Sequence, residues 1–385
     1  MIISRVETAW IELPLPEPRG LSIGPITHST DAVCRITTSD GIQGIGETRG
    51  GPLDAACEII DTVFRPKLLG QHAAETEHLW QLMCDMLLGP EAPKHDWAPR
   101  TVLGAIAAVD MALWDIKAKA AGLQLCRLLG GRPEPVPAYF SDGFYMEGQS
   151  IDEMAAECAE GLAAGGYRSL KMRIGRDPDD DVERVRAVRR AVGDEVDIMV
   201  DLNWAWDLAQ AQATLPRLEE YGLYWFEEPT PLERPPGDFA APDRLAGEVA
   251  ALTSIPLASG ENHISLTECR SLIENTPLRF MQFDAIKNGG VTEFLRVASL
   301  CRAHGISLAP HHVPHFHVQL VAALPHAIMV EVFDNAKQHV AWPDLFPGYP
   351  EVRNGKMLVP EAPGWGLSIN DEMIESRGVK VCWGG

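Results

Sequence analysis

Ser169-Leu-Lys-Met-Arg173, Ile198-Met-Val-Asp-Leu-Asn203, Tyr224-Trp-Phe-Glu-Glu-Pro229 and Ile255-Pro-Leu-Ala-Ser-Gly-Glu261 are successive short apolar runs, each ending in polar or charged residues. Met281-Gln-Phe-Asp-Ala285, Ile306-Ser-Leu-Ala-Pro-His311 and Ile328-Met-Val-Glu331 continue the series, and all but the last are followed by enough chain for a helix or turn. Near-continuous apolar runs are the mark of parallel strands buried on both faces. In (β/α)₈ barrels the catalytic groups sit at the carboxyl ends of such strands. The series therefore predicts a barrel whose strand ends bring Lys171, Arg173, Asp201, Glu227, Glu261, Asp284, His311 and Glu331 to one mouth.

Working outward, Arg132-Pro-Glu-Pro-Val-Pro137 is a stiff connection and the best boundary in the chain. Before it, Ala32–Thr38 reads as a strand, and Ser39-Asp-Gly-Ile-Gln43 supplies an Asp-Gly turn into Gly44-Ile-Gly-Glu47. A helix near Leu53–Phe64 is expected to stop before Pro66, and a longer one covers Val102–Lys117. Gly130-Gly131 marks the end of the helical region. Strands followed by helices make an α+β domain. The expected organisation is an α+β capping domain over 1–130, a barrel over 131–345, and a Pro-rich segment over 346–385 that packs back on the first domain.

The 385 residues are 46% hydrophobic, enough for a large core and too apolar for a disordered chain. A formal net charge of −21 excludes the basic surfaces that nucleic acids or membrane headgroups require. An anionic small molecule remains admissible, because a few cations and a metal can make one cleft positive. The eight cysteines are scattered without a C-x-x-C pair and read as reduced, buried thiols. No apolar run reaches the ~18–20 residues of a membrane span, and Met1–Arg5 lacks the pattern of a secretory leader. A cytoplasmic protein is expected.

Asp201, Glu227 and Glu261 end adjacent strands and can share one ion. Oxygen donors with no Cys or His among them suit Mg²⁺ or Mn²⁺ rather than zinc. Lys171 and Arg173, at i and i+2, point to the same face. Lys171 is placed on a substrate carboxylate and the metal set, Arg173 beside the reacting carbon, and Asn203 on the substrate; the bland reading of the two cations is neutralisation of the acids. Asp284 and His311 end consecutive strands, and a carboxylate on one imidazole nitrogen makes the other a better base. Glu331 is a candidate hydrogen-bond donor to developing negative charge, provided burial keeps it protonated. The run His311-His312-Val-Pro-His315-Phe-His317 invites a second metal site, but Pro314 breaks any i, i+4 pair, so the later histidines are read as loop-shaping. Gly289-Gly290 is read as a turn rather than a phosphate cradle.

Taken together, these motifs resemble the enolase superfamily and, within it, the mandelate racemase subgroup. The likeness rests on Ala108–Lys117, the Lys-x-Arg, Asp-x-Asn, Phe-Glu-Glu-Pro and Gly-Glu strand ends, Asp284 before Ile286-Lys-Asn-Gly-Gly290, His311 and Glu331, and it runs nearly the whole chain. It implies a capping α+β domain on a modified (β/α)₇β barrel, and one Mg²⁺ held by the residues matching Asp201, Glu227 and Glu261. It also implies removal of the proton α to a carboxylate, with an enediolate stabilised by the metal. A specificity loop near Pro14–His28, a second near Gly50–Pro52, and a homo-oligomer are implied as well. The chain departs from the commonest pattern at Arg173, where Lys usually serves as second base. Guanidinium is a poor base, so dehydration of an aldonate or aldarate to a 2-keto-3-deoxy acid is favoured over racemisation or epimerisation. A catalytically silent metal-binding barrel and a metal-dependent hydrolase are the remaining alternatives. The first would be expected to have lost a ligand or His311, and the second would want its His-x-His on the first strand.

Overall fold

In the capping domain, a small antiparallel sheet packs on one buried helix. The computed structural model describes residues 1–49, 51–235, 238–333 and 340–383. Strands β1 (Ile3–Leu21) and β2 (Gly24–Thr38) pair antiparallel from Ile3↔Thr38 to Leu21↔Gly24, and β3 (Gln43–Thr48) pairs with β2. Helices α1 (Leu53–Glu58), α2 (Arg65–Leu68) and α3 (Thr76–Leu87) lead to α4 (Pro99–Ala120), most of whose residues are buried. β3 packs directly on α4 through glycines. A Cβ on Gly46 would stand 2.0 Å from the Ala108 carbonyl oxygen, and one on Gly44 would stand 2.0 Å from that of Ala112. Gly46→Ala is therefore expected to destabilise the protein by about 3 kcal/mol, the upper end of overpacking costs, because the obstacle is backbone. Thermal unfolding measures this, and an unchanged midpoint would contradict the packing.

Two acids inside α4 join the domains. Asp110 accepts from the Thr292 N–H (2.9 Å) and hydroxyl (2.6 Å), at the start of a barrel helix. Asp115 accepts from the backbone N–H of Ile45 (3.0 Å) and Trp365 (2.9 Å) and pairs with Lys119 (2.7 Å). Each buried carboxylate is satisfied by backbone donors from a different part of the chain, which explains acids in an otherwise apolar helix.

After α5 (Leu125–Leu128), strands β4 (Val136–Ser141), β5 (Ser169–Arg173), β6 (Asp197–Asp201), β7 (Trp225–Glu227), β8 (Leu257–Ser259), β9 (Leu278–Met281), β10 (Ser307–Leu308) and β11 (Val330–Val332) form a parallel sheet in sequence order. β11 pairs with β4, and the Leu308↔Ala327 bridge closes the ring. Helices α6 (Ile151–Gly165), α7 (Pro178–Val192), α8 (Leu208–Leu218), α9 (Ala241–Ala250), α10 (Leu266–Asn275), α11 (Gly290–Ala303) and α12 (Pro314–Ala323) fill the crossovers, which makes the expected (β/α)₇β barrel. Tyr139, Met199, Trp225, Ala258, Ala309 and Met329 pack together as an inner plug. The later chain touches both parts: after α13 (Trp342–Leu345), the small hairpin β12 (Val352–Arg353) and β13 (Lys356–Met357) joins β4, and after α14 (Asp371–Arg377), β14 (Val379–Cys382) joins β1.

Two expectations are corrected. The segment Pro14–His28 is not a loop: it is the far end of the β1–β2 hairpin, turning at Ser22-Ile23. The helix expected to stop before Pro66 instead passes through a π-helical stretch, Ile59–Phe64, and continues to Leu68. A register change from α to π frees Pro66 from the i−4 bond its missing N–H cannot make. Of the segment Gly50–Pro52, Gly50 lies outside the described residues. Among the described residues no helix is long and apolar enough to cross a membrane.

Candidate active site

The parallel register sets the site. Arg173 stands opposite Asp201, and Asp201 opposite Glu227, so three strand ends present charge at one level. Lys171 is fully buried, with Nζ 2.7 Å from Glu227 Oε1, 3.0 Å from Glu331 Oε1 and 3.6 Å from Asp201 Oδ2. Arg173 donates to Asp201 and to Ser141 Oγ (3.3 Å), and lies 3.8 Å from Glu331. Burial lowers the pKa of both cations, but the carboxylates around them outweigh it and hold both above their ordinary values. Arg173 thus stays a guanidinium.

On the other wall, His311 Nδ1 lies 2.9 Å from Asp284 Oδ2, and Nε2 lies 3.0 Å from Glu261 Oε2. The Ile286 N–H fixes Asp284 through its other oxygen (3.0 Å). Lys287 Nζ stands 3.3 Å from His311 Nδ1 and 3.9 Å from Asp284. Burial, then Lys287 and His312, push the His311 pKa well below its ordinary value, so the imidazole is neutral and able to accept a proton. The Glu261 contact needs one proton between its two partners, and burial raises the Glu261 carboxyl to about 7.

The eight ionisable residues predicted at the strand ends reach the barrel mouth, but in two clusters. Lys171, Arg173, Asp201, Glu227 and Glu331 form one, and Glu261, Asp284 and His311 the other. Each of the three proposed metal-binding carboxylates faces a basic side chain, and among the described residues no group of three or more His, Cys, Asp or Glu stands ready around an ion. Their chemistry still fits a hard divalent cation. All three are buried oxygen donors on consecutive strand ends. Burial and neighbouring acids push both Glu227 and Glu261 upward, a repulsion that a dication relieves. Asn203 adds a buried Oδ1 without a hydrogen-bond partner, two residues beyond Asp201.

Glu331 departs from expectation. Burial alone would raise it, but Lys171 and Arg173 hold it below its ordinary value, and its Oε2 accepts the His312 N–H at 2.9 Å. It is an ionised anchor for Lys171 and the His311-His312 turn, not a protonated donor.

Several working residues were missed. Glu228, the second acid of Phe-Glu-Glu-Pro, ties three loops by accepting from Ser259 Oγ (2.8 Å), Gly260 N–H (2.9 Å) and the Trp204 indole. His317 Nε2 accepts the Ala285 N–H (3.2 Å), so its Nδ1 carries the hydrogen and donates to the His312 carbonyl (2.9 Å). This neutral histidine clamps together the chain beside Asp284 and the chain beside His311. His315 Nε2 meets Glu47 of β3 at 3.0 Å, and His312 Nδ1 accepts from Arg49 (3.1 Å). The histidine run is a bracket between barrel and cap, and His315 and His317 lie not in a loop but on α12, which Pro314 opens at its first turn.

A capped (β/α)₇β barrel with a cation-and-carboxylate wall facing a His–Asp wall is built for acid–base chemistry on a small anion. The chain belongs to the mandelate racemase / muconate lactonizing enzyme family of the enolase superfamily: residues 5–130 match the family's N-terminal domain and residues 153–373 the enolase C-terminal domain-like barrel. It is 30% identical over 363 residues to the arabinonate dehydratase of Saccharolobus solfataricus, covering 91% of this chain and 92% of that protein. It is 32% identical over 382 residues to the 3,6-anhydro-alpha-L-galactonate cycloisomerase of Streptomyces coelicolor, with 97% and 98% covered. The L-talarate dehydratase of Polaromonas sp. JS666, solved with Mg and L-glucarate, superposes with a TM-score of 0.80 at 32% identity, with 99% of each chain covered.

Proposed function

We propose that this chain is a Mg²⁺-dependent acid sugar dehydratase, removing the C2 proton of an aldonate or aldarate and expelling the 3-hydroxyl to give a 2-keto-3-deoxy acid. The observation that carries this reading is the asymmetry of the two walls: a neutral imidazole on one side and a permanently charged guanidinium on the other. Only one wall can take a proton, as dehydration needs, whereas a two-base racemase needs an acceptor on each face.

Asp201, Glu227 and Glu261 are the residues that would hold Mg²⁺. Bound there, the ion supplies Lewis-acid polarisation of the substrate carboxylate. Lys171 adds a fixed positive charge for the negative charge that develops on that carboxylate, and Asn203 a polar contact. Arg173 lies along the face opposite the base and orients the substrate. Asp284 receives the His311 Nδ1 hydrogen, which leaves Nε2 to take the C2 proton. The imidazolium then returns a proton to the departing 3-hydroxyl, which leaves as water. The resulting enol tautomerises to the ketone, so the net change is loss of one water.

An isomerase is the second reading, favoured by the cycloisomerase relative, whose chain matches along 97% of this one. A cytoplasmic location and a homo-oligomeric state belong to the same proposal. ¹H NMR in D₂O with Mg²⁺, over aldonates and aldarates of five and six carbons, decides between the readings. A 2-keto-3-deoxy product is expected. Deuterium at C2 with recovery of an epimer would establish the isomerase instead, and absence of any C2 exchange would overturn both.

A further inference from the structure

Four alternate strands place side chains at one level inside the barrel, and three of those side chains are paired with one another. Lys171 stands opposite Met199 and Met199 opposite Trp225, so Glu227 lies two residues beyond the line of partners. The same step repeats: Glu227 stands opposite Ala258 and Ala258 opposite Phe280, and Gln282 lies two residues further. It repeats again across the closure, where Glu331 stands opposite Tyr139 and Lys171 opposite Ser141, two residues on. Alternate strands of a tilted barrel contribute layers of four inward side chains in this way. The layer here is Lys171, Glu227, Gln282 and Glu331.

Lys171 Nζ lies 2.7 Å from Glu227 and 3.0 Å from Glu331. Gln282 is as buried as they are, yet neither its Oε1 nor its Nε2 has a hydrogen-bond partner among the described residues. Phe280 packs on the inner plug, so Gln282, two residues on, faces the barrel interior just above it. The backbone there is fixed: the Gln282 N–H donates to the Ser259 carbonyl (2.9 Å), and its carbonyl accepts the N–H of His311 (3.3 Å). A buried amide that pairs with nothing costs stability, a cost that an apolar side chain of similar size avoids. The place of Gln282 supplies a reason for the amide. It lies diagonally across the layer from Lys171, two residues before Asp284 and directly below the His–Asp wall.

We infer that Gln282 is a further substrate-binding residue, holding the reacting end of the acid sugar from the side opposite Lys171. Its Nε2 donates to the reacting carboxylate, and its Oε1 accepts the neighbouring 2-hydroxyl. An amide presents a donor and an acceptor side by side, the complement of a 2-hydroxy carboxylate. It also adds a hydrogen bond without setting another cation beside the Mg²⁺ ligands. The donor gains strength as negative charge develops on the carboxylate after loss of the C2 proton. The inference rests on the proposed function for which carboxylate reacts, while the unpaired amide makes its own demand for a ligand.

The experiment compares the full chain with Gln282→Met and Gln282→Glu. Methionine keeps the unbranched shape and removes both polar atoms, whereas glutamate keeps an acceptor and puts a negative charge where the donor was. Without ligands, the thermal midpoint of Gln282→Met is expected to equal or exceed that of the wild type. Its kcat on the most active five- or six-carbon aldonate or aldarate should fall about 100-fold or more, as for loss of one donor to a developing oxyanion, and Gln282→Glu should be slower still. Calorimetry in a His311→Asn background, with Mg²⁺ and the same acids, reads binding without turnover. Adding Gln282→Met should weaken the acid sugar about 10-fold or more while Mg²⁺ affinity measured alone is unchanged. A lowered midpoint with kcat intact, a loss confined to Mg²⁺, or acid sugars held as tightly by Gln282→Glu as by the wild type would overturn the inference. Dehydration by Gln282→Met at the wild-type rate would remove the amide contact and leave the dehydratase reading standing. Acid sugar binding that depends on Gln282, with dehydration of none, would do the reverse, and binding of no acid sugar would overturn both.

Discussion

His311→Asn is expected to lower kcat by about 10⁴-fold, the upper range for a positioned acid–base group, because one side chain both takes the C2 proton and returns a proton to the leaving hydroxyl. Asparagine keeps a donor for Asp284, which stays fixed by the Ile286 N–H at 3.0 Å, and His317 still clamps the surrounding backbone. The fold and the charge of the opposite wall are therefore retained while the imidazole that accepts the C2 proton is lost. The measurement is C2 hydrogen–deuterium exchange beside steady-state turnover, with Mg²⁺ affinity followed by calorimetry. Exchange at the wild-type rate would remove His311 from its role. Loss of Mg²⁺ binding in parallel would show that its contact with Glu261, 3.0 Å away, serves the metal set instead.

The barrel was legible because buried parallel strands leave a one-dimensional signal: short apolar runs ending in chemistry, at near-regular spacing. The cap was harder. The segment near Pro14–His28, a loop by resemblance, begins with Pro14, Pro16 and Pro18, which lie within β1. β14 pairs with β1 only at Thr8, Ala9 and Trp10, so the proline stretch has lost one neighbour and behaves as an edge, where a missing N–H is tolerated. The ladder to β2 also shifts between Pro14 and Arg19, which absorbs the irregularity.

Inside the site, residue positions were readable and ionisation was not. Whether Glu331 is protonated depends on Lys171 at 3.0 Å and Arg173 at 3.8 Å, which the barrel brings from a strand remote in sequence. Local sequence shows a buried acid and suggests a raised pKa; tertiary charge reverses the direction. The roles of Glu228 and His317 were invisible for a related reason. The partners of Glu228 come from other loops, one of them the Gly260 N–H, and those of His317 are backbone groups, which carry no residue-type signal.

Glu227→Gln separates the metal role from the structural one. Glu227 is the central member of the proposed ligand set, fully buried and in register with Asp201. Gln preserves its volume and an oxygen toward Lys171, and Lys171 keeps Glu331 at 3.0 Å and Asp201 at 3.6 Å as countercharges. The variant should therefore fold. Removing one of three carboxylates from a hard-cation site is expected to weaken Mg²⁺ binding by about 100-fold or more, beyond the 10–100-fold typical of residues that only support a ligand. In the wild type, Mg²⁺ at a hundredfold excess over Kd stabilises the folded state by about 2.7 kcal/mol, and at the same concentration the variant should keep little of that gain. Thermal midpoints with and without Mg²⁺, beside calorimetric titration, read this without recourse to activity. An unchanged Mg²⁺ affinity would sink the ligand assignment. A midpoint that falls equally with and without the ion would instead make Glu227 a structural counterion to Lys171, and the carboxylate set would have to be sought elsewhere at the barrel mouth.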